Sequence, residues 1–306
     1  MKILITPRSF GKTDPGVFKL LEDAGFEIVE NKTGGILNEQ QLAELIADCD
    51  GVILGVDPFT SKVLENAPKL RVIAKYGVGI DNIDMEACEA RGIIVSRTVG
   101  ANSEAVADYA FALMLAVARK VVPIDANCRK SDWGKTTTLD VFGKTIGLIG
   151  LGAIAKGVAA RAKGFNMRVL AHDVFWDDEY AKSSAIENAE LEQIYAESDF
   201  ISVHVPLTDQ TRLMIGEAEL SMMKDTAVII NTARGGIIDE DALLNALKSG
   251  RLYGAGIDAF EQEPPANKAW FELDNVVIGA HCSASTNGAV AQMGRMAAEN
   301  ILRDLK

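Results

Sequence analysis

The sequence predicts an α/β protein of two doubly wound parallel-sheet domains with a cleft between them. Short apolar runs alternate with helical patterns almost from end to end, as parallel strands joined by right-handed crossovers do, and one long apolar helical pattern interrupts the alternation. In the first stretch the strand-like runs lie at 3–5, 26–29, 52–54, 72–74 and 93–95. Each is brief and apolar, as a strand covered on both faces must be. Helical patterns separate them near 16–24, 38–47, 61–66 and 85–90. The interrupting helix, 103–121, is apolar on more than one face and fits either a subunit contact or a helix sandwiched between domains. A polar bridge at 127–138 leads to a second alternation, with strands at 146–149, 168–171, 200–203, 227–230, 252–257 and 276–278. The last helical pattern, 287–305, has no strand after it and is assigned back across the first domain. The expected division is 1–98 with 286–306 for one domain and 99–285 for the other.

The most informative stretch is 145–173, TIGLIGLGAIAKGVAARAKGFNMRVLAHD: a strand, a glycine turn, a helix and a second strand ending in an acid. Gly150 permits the tight turn, Gly152 lets the backbone come close to a pyrophosphate, and Ala155 at the third position allows close helix–strand packing. The helix that begins near Ala153 and Ile154 offers free N–H groups and the positive end of its dipole to an anion. Asp173, about twenty residues past the glycines, suits a ribose 2′-hydroxyl and would repel a 2′-phosphate. Val174-Phe175-Trp176 supply no arginine to receive one, so the expected cofactor is NAD rather than NADP. Taken alone, Asp173 also reads as a helix cap or a solvated strand-end acid. The 99–285 domain is thereby the NAD-binding one, and the discontinuous domain the substrate (catalytic) one, both Rossmann-like or flavodoxin-like.

Composition narrows the function classes. A chain of 306 residues with 48% hydrophobic content has room for two substantial cores. Lys and Arg total 31 against 43 Asp and Glu, a net charge of −12, which argues against nucleic acid or an anionic membrane as partner. Cys49, Cys88, Cys128 and Cys282 show no paired spacing and no metal-ligand pattern with the histidines, so no metal is expected and reduced thiols in a cytoplasmic protein are the simplest reading. The N-terminus, MKILITP, has too short an apolar run for a signal peptide, and no segment reads as a membrane span.

In open parallel sheets ligands sit beyond the carboxyl ends of the strands. His204, Arg234, Asp258, Glu263 and His281 all follow strand runs of the second domain. Here the sequence resembles the NAD-dependent D-2-hydroxyacid dehydrogenases, a family related to phosphoglycerate dehydrogenase. The resemblance is carried by KYGVGIDNID at 75–84, NSEAVADYAFALMLAVAR at 102–119, GLGAIA at 150–155, HVPLT at 204–208, NTARGGIID at 231–239, DAFEQEPP at 258–265 and HCSAST at 281–286, in that order.

Hydride exchange between a 2-hydroxy acid and a nicotinamide needs a cation to hold the carboxylate and polarise the carbonyl, and Arg234 has the fork geometry for it. It also needs a proton carrier titrating near neutrality, which suits His281. Glu263 would fix the imidazole tautomer and favour its protonated form. The resemblance implies this same Arg, Glu and His triad. It also implies that the turn of Tyr76, Gly77, Val78 and Gly79 offers backbone N–H groups to the substrate carboxylate, a nest-type anion site. Gly150, Gly152, Ala153, Ile154, Asp173, His204, Val205, Pro206, Thr232, Ala233, Asp258 and His281 are expected to line the cofactor. Taken singly, Arg234 reads first as capping a carbonyl or pairing with Asp239, Glu263 as a turn acid before Pro264, His172 as structural or adenosine-side, and Cys282 as a small buried hydrophobe.

The chain departs from the family at Ala280 and Ser283, where a Pro and a Gly usually flank the histidine. Phosphoglycerate-using relatives generally carry a basic residue after the third strand, where Gly55-Val56-Asp57 stand here; an acid there would repel a substrate phosphate, and Lys135 would compensate only in part. A small non-phosphorylated or sulfonated 2-hydroxy acid is therefore expected ahead of phosphoglycerate, with an NAD(H)-sensing binding protein of the same fold as the alternative from another class. The chain's ending at Lys306 leads us to expect no C-terminal regulatory domain, and the resemblance implies a homodimer.

Overall fold

The computed structural model describes residues 1–305. They form two compact units, Met1–Asn102 joined by the segment from Ala284 onward, and Ser103–Ser283. In the first unit β1 (Lys2–Ile5), α1 (Gly16–Asp23), β2 (Glu27–Glu30), α2 (Glu39–Ile46), β3 (Gly51–Leu54), α3 (Ser61–Glu65), β4 (Val72–Lys75), α4 (Met85–Ala90) and β5 (Ile94–Arg97) alternate without exception. The strands pair in parallel in the order β2-β1-β3-β4-β5. Central β3 and β4 are wholly buried and read as apolar runs, while β2 and β5 at the edges are half wet. A capping box between Asn38 and Gln41 starts α2.

The C-terminal helix, Asn287–Asp304, packs on this same sheet. Its Ala297, Ala298 and Ile301, with Leu305 beyond it, share one core with Ile3, Ile5, Val72 and Ala74. Gly51 makes room for it: a Cβ there would lie 2.8 Å from a Leu305 methyl.

The second unit contains α5 (Ser103–Ala118), α6 (Val121–Cys128), β6 (Thr145–Ile149), α7 (Ala153–Gly164), β7 (Arg168–His172), α8 (Asp178–Ser184), β8 (Ile186–Asn188), α9 (Leu191–Glu197), β9 (Phe200–Val203), α10 (Glu217–Met222), β10 (Val228–Asn231), α11 (Glu240–Lys248), β11 (Gly254–Ile257) and β12 (Val276–Ile278). Its seven strands run in parallel in the order β12-β11-β10-β9-β6-β7-β8. The order reverses between β6 and β9, the switch point at which such sheets bind ligands.

Two elements were missed by periodicity. β8 is a three-residue edge strand with only Ile186 buried, too short and too wet to show a pattern. The helix expected over 103–121 instead stops at Ala118, because Lys120 takes a left-handed conformation (φ 49°), and α6, which buries no residue, follows. The apolar character of α5 is explained within its own unit. It lies against α7, β10 and β11, and three glycines let it approach: a Cβ at Gly157 would lie 2.9 Å from Ala107, one at Gly254 2.6 Å from Val117, and one at Gly256 2.8 Å from Leu113. Among the described residues no helix is long and apolar enough to cross a membrane.

Candidate active site

The glycine turn joins β6 to α7. Gly150 adopts φ +95°, a region L side chains avoid, and a Cβ there would lie 2.8 Å from the His204 carbonyl oxygen. Gly152 differs: its φ of −73° suits any residue, and no atom lies within 4 Å of where its Cβ would be. The space it leaves open lies directly before the first turn of α7, whose N-terminus has no side-chain cap and begins at exposed Ala153 and half-buried Ile154. A pyrophosphate fits that combination of empty space and uncapped amides. Asp173 directly follows β7, and its carboxylate accepts from Leu151 N (2.5 Å) and Phe175 N (2.7 Å). With two acceptor sites on each oxygen, it retains capacity for a pair of ribose hydroxyls. These residues therefore fit an NAD.

Across the switch point, β9 is followed by His204, whose Nε2 lies 2.9 Å from Ser202 Oγ. Burial pushes this imidazole from its ordinary 6.5 down to about 4, so it is neutral near pH 7. Val205 packs on the Gly150 turn, its Cγ1 3.2 Å from a Cβ placed there, and the Pro206 carbonyl accepts from Thr211 Oγ1 at 2.6 Å. At the end of β10 the Thr232 hydroxyl is buried without a hydrogen-bond partner. A buried hydroxyl left unmatched at a strand's carboxyl end is what a ligand's polar group would complete.

The reactive groups assemble at the ends of β10, β11 and β12. Asn231 closes a side-chain turn, accepting from Ala233 N (3.0 Å) and donating to the Arg234 carbonyl (2.8 Å), which fixes the chain on either side of Arg234. The Arg234 guanidinium donates to the Ala233 carbonyl at 2.8 Å. That bond is the carbonyl-capping alternative, while Asp239, the other one, caps α11. Glu263 lies 2.8 and 3.0 Å from His281 Nδ1 through its two oxygens, and also accepts from Phe260 N at 3.2 Å. A carboxylate that close requires Nδ1 to carry the proton and leaves Nε2 as the exchanging atom. Burial alone would raise Glu263, but the His281 hydrogen bond and charge, the Phe260 amide and the Arg234 charge together hold it below the usual carboxylate range. Arg234 is thus close enough to be felt by the His–Glu pair.

His281 itself takes φ +52°. A left-handed non-glycine residue costs about 1 kcal/mol or more, and buried Asp258 offsets this. Its carbonyl accepts His281 N (2.9 Å), and its two carboxylate oxygens accept Cys282 N (3.1 Å) and Ser283 N (2.9 Å). The Asp258 carboxylate thereby engages the turn that aims His281. Cys282 is half-buried and its thiol donates to Tyr109 OH at 3.4 Å. His172 pins β7 to the residue after β8 through Ala189 O at 3.1 Å, the structural alternative.

In the first unit the turn after β4 differs from expectation. Tyr76 N continues the ladder to Leu54 O (2.9 Å), Gly77 N donates to Thr98 Oγ1 (2.9 Å), and the Tyr76 hydroxyl donates to Val290 O at 3.1 Å. The Tyr76 and Gly77 amides are thus engaged within their own unit. Asp57, expected to confront a substrate phosphate, is 2% exposed. It accepts from Thr6 Oγ1 and from Leu37 N, the latter at 2.7 Å. Its carboxylate serves the fold, tying the residue after β1 to the segment that leads into α2. Asn231 and Asp258 were legible only as members of motifs; their positioning roles needed coordinates.

Residues 111–283 match the family model for the NAD-binding domain of D-isomer-specific 2-hydroxyacid dehydrogenases. The chain is 43% identical over 273 residues to the glyoxylate reductase of Korarchaeum cryptofilum, covering 87% of this chain and 82% of that one. It is 40% identical over 301 residues to the D-3-phosphoglycerate dehydrogenase of Methanocaldococcus jannaschii, covering 96% of this chain and 57% of that one. The D-lactate dehydrogenase of Aquifex aeolicus, solved with NAD and lactic acid, superposes with a TM-score of 0.87 at 27% identity, covering 99% of this chain and 95% of that one.

Proposed function

The chain belongs to the D-isomer-specific 2-hydroxyacid dehydrogenases, an NAD-dependent oxidoreductase family, and from that premise we propose that it reduces a small 2-oxo acid of glyoxylate size, with Arg234, His281 and Glu263 as the working groups. The balanced reaction takes a 2-oxo acid, NADH and a proton to the 2-hydroxy acid and NAD. The bound dinucleotide supplies the hydride.

Every other contribution belongs to the chain. Arg234 holds the carboxylate with its fork and polarises the carbonyl oxygen. His281, with Nδ1 tied to Glu263, delivers a proton to that oxygen from Nε2 and recovers it in the reverse direction. Glu263 stabilises the imidazolium while it exists. Val78 and Gly79 offer amides for the carboxylate. Gly150, Gly152, Ala153 and Ile154 would hold the cofactor's pyrophosphate and Asp173 its ribose, and His204, Val205, Pro206, Thr232, Ala233 and Asp258 would line it. Glyoxylate is favoured as the probe because several of the most similar relatives are glyoxylate reductases. Because one of the similar relatives is a D-3-phosphoglycerate dehydrogenase, a phosphorylated 2-oxo acid belongs in the same panel.

The observation that carries the reading is the 2.8 Å contact of Glu263 with His281 beside a turn that presents Arg234. The test is NADH oxidation against a panel of 2-oxo acids. We expect turnover with glyoxylate that falls about 10²- to 10⁴-fold in His281→Ala, with NADH binding retained. Tight NADH binding without turnover on any 2-oxo acid would instead make the protein a dinucleotide sensor.

We further propose a cytoplasmic homodimer. Because α5 is covered within its own unit, the contact is assigned to the apolar side chains just beyond it, Val121, Val122, Trp133 and Phe142, each more than half exposed.

A further inference from the structure

The turns that carry Arg234 and Glu263 leave different strands, yet they are keyed together at a second place, away from the reacting groups. At Gly235, the residue after Arg234, a Cβ would lie 2.0 Å from both Glu261 N and Phe260 C, so only a glycine lets the two backbones touch. Beside that contact Glu240, the first residue of α11, accepts the Glu261 amide on Oε1 at 2.6 Å. The Phe260 amide in turn donates to Glu263. The segment 260–263 is thus held from outside by Glu240 and from within by Glu263 itself.

Electrostatics makes this placement notable. Burial, foremost, raises the Glu240 carboxyl above its ordinary range, and Glu261, Asp241 and Glu263 add like charge around it. Only the Glu261 amide opposes those effects. An acid set half-buried among three others is unfavourable for folding by itself, and the contact that offsets it leads to Glu263.

We propose that Glu240 is a positioning residue for the reaction: by anchoring the Glu261 amide it fixes the turn that brings Glu263 onto His281 Nδ1. This rests on the reading of His281 and Glu263 as the proton-transfer pair. Glu240 touches neither substrate nor cofactor in this scheme and acts through the turn alone.

The test compares Glu240→Ala with Glu240→Gln in the full chain. Three quantities are measured: NADH oxidation with glyoxylate, the dissociation constant for NADH, and the proton NMR signal of the imidazole N–H that His281 shares with Glu263. With only three histidines in the chain, that signal is assignable by His281→Ala. We expect the alanine variant to lose about ten- to a hundredfold in kcat, to bind NADH within about twofold of wild type, and to lose or shift the N–H signal. The glutamine variant keeps an oxygen acceptor for Glu261 N–H and is expected to restore both turnover and signal. An alanine variant with wild-type kcat and signal overturns the proposal, as does a glutamine variant as impaired as alanine. Should alanine fail to fold, Glu240→Asp, which withdraws the oxygen by one methylene, takes its place with the same expectation. A wild-type chain without turnover sinks the acid–base reading, whereas the NMR comparison alone still decides whether Glu240 sets the Glu263–His281 contact.

Discussion

A histidine is aimed here by an aspartate that never touches it through a side chain. The two Asp258 oxygens accept the amides that follow His281, so Asp258→Asn would turn an amide donor toward one of those N–H groups. With the residue 1% exposed, water cannot repair the mismatch. We expect a loss of about 1–3 kcal/mol in denaturant melts and a drop in kcat. An unchanged melt would show the clamp to be dispensable. Glu263 behaves in the opposite sense to a strained group, since its partners lower its pKa. Its contribution to stability is therefore complete above the ordinary carboxylate value of about 4.3 and lost as pH falls through the lower, folded value. Consequently any decline of kcat between pH 8 and 5 is not Glu263 protonation. Glu263→Gln should lower kcat throughout that window without creating a new acid limb, as a pH–rate series would reveal.

The glycine turn allows a paired comparison of elements. Gly150→Ala meets both a left-handed backbone and a carbonyl 2.8 Å away; it should destabilise the unit by about 2 kcal/mol or more and reduce NADH binding with it. Gly152→Ala meets neither obstacle, because nothing lies within 4 Å of the added methyl. Its melting temperature should stay at the wild-type value while NADH affinity falls about tenfold or more, the methyl taking space that the pyrophosphate needs. Equal NADH affinity in Gly152→Ala and wild type would remove the pyrophosphate from that turn. Elements also show where periodicity loses its power. The buried strands β3, β4, β9 and β10 were plain as apolar runs, whereas β8, with one buried residue, and α6, with none, gave no pattern to read.

For the molecule as a whole, acid stability and assembly are the measurable consequences. His204 is neutral in the folded protein down to about 4 but takes up a proton near 6.5 once unfolded. The unfolded chain binds more protons in that window, so stability falls as pH drops from about 6.5 to about 4. His204→Gln should flatten that slope in thermal melts run at pH 7 and pH 5. Assembly is tested at Trp133, 80% exposed: Trp133→Asp should shift the light-scattering mass from two chains to one. A wild-type mass of one chain would dismiss the dimer outright.

What the sequence by itself determined was the alternation of strands and helices, the glycine turn with its acid one strand later, and the identity of the residues at the strand ends. Those follow from local rules: the period of apolar burial, the conformational freedom of glycine, the charge of an aspartate. What only the tertiary structure decided was which partners those residues meet. Asp57 turned inward to Thr6 and Leu37, Asp258 turned to the Cys282 and Ser283 amides, and Glu240 reached the amide beside Phe260. Each contact joins segments 20 or more residues apart in sequence, and hydrogen bonds of that span are set by how strands stack side by side, which no local pattern encodes.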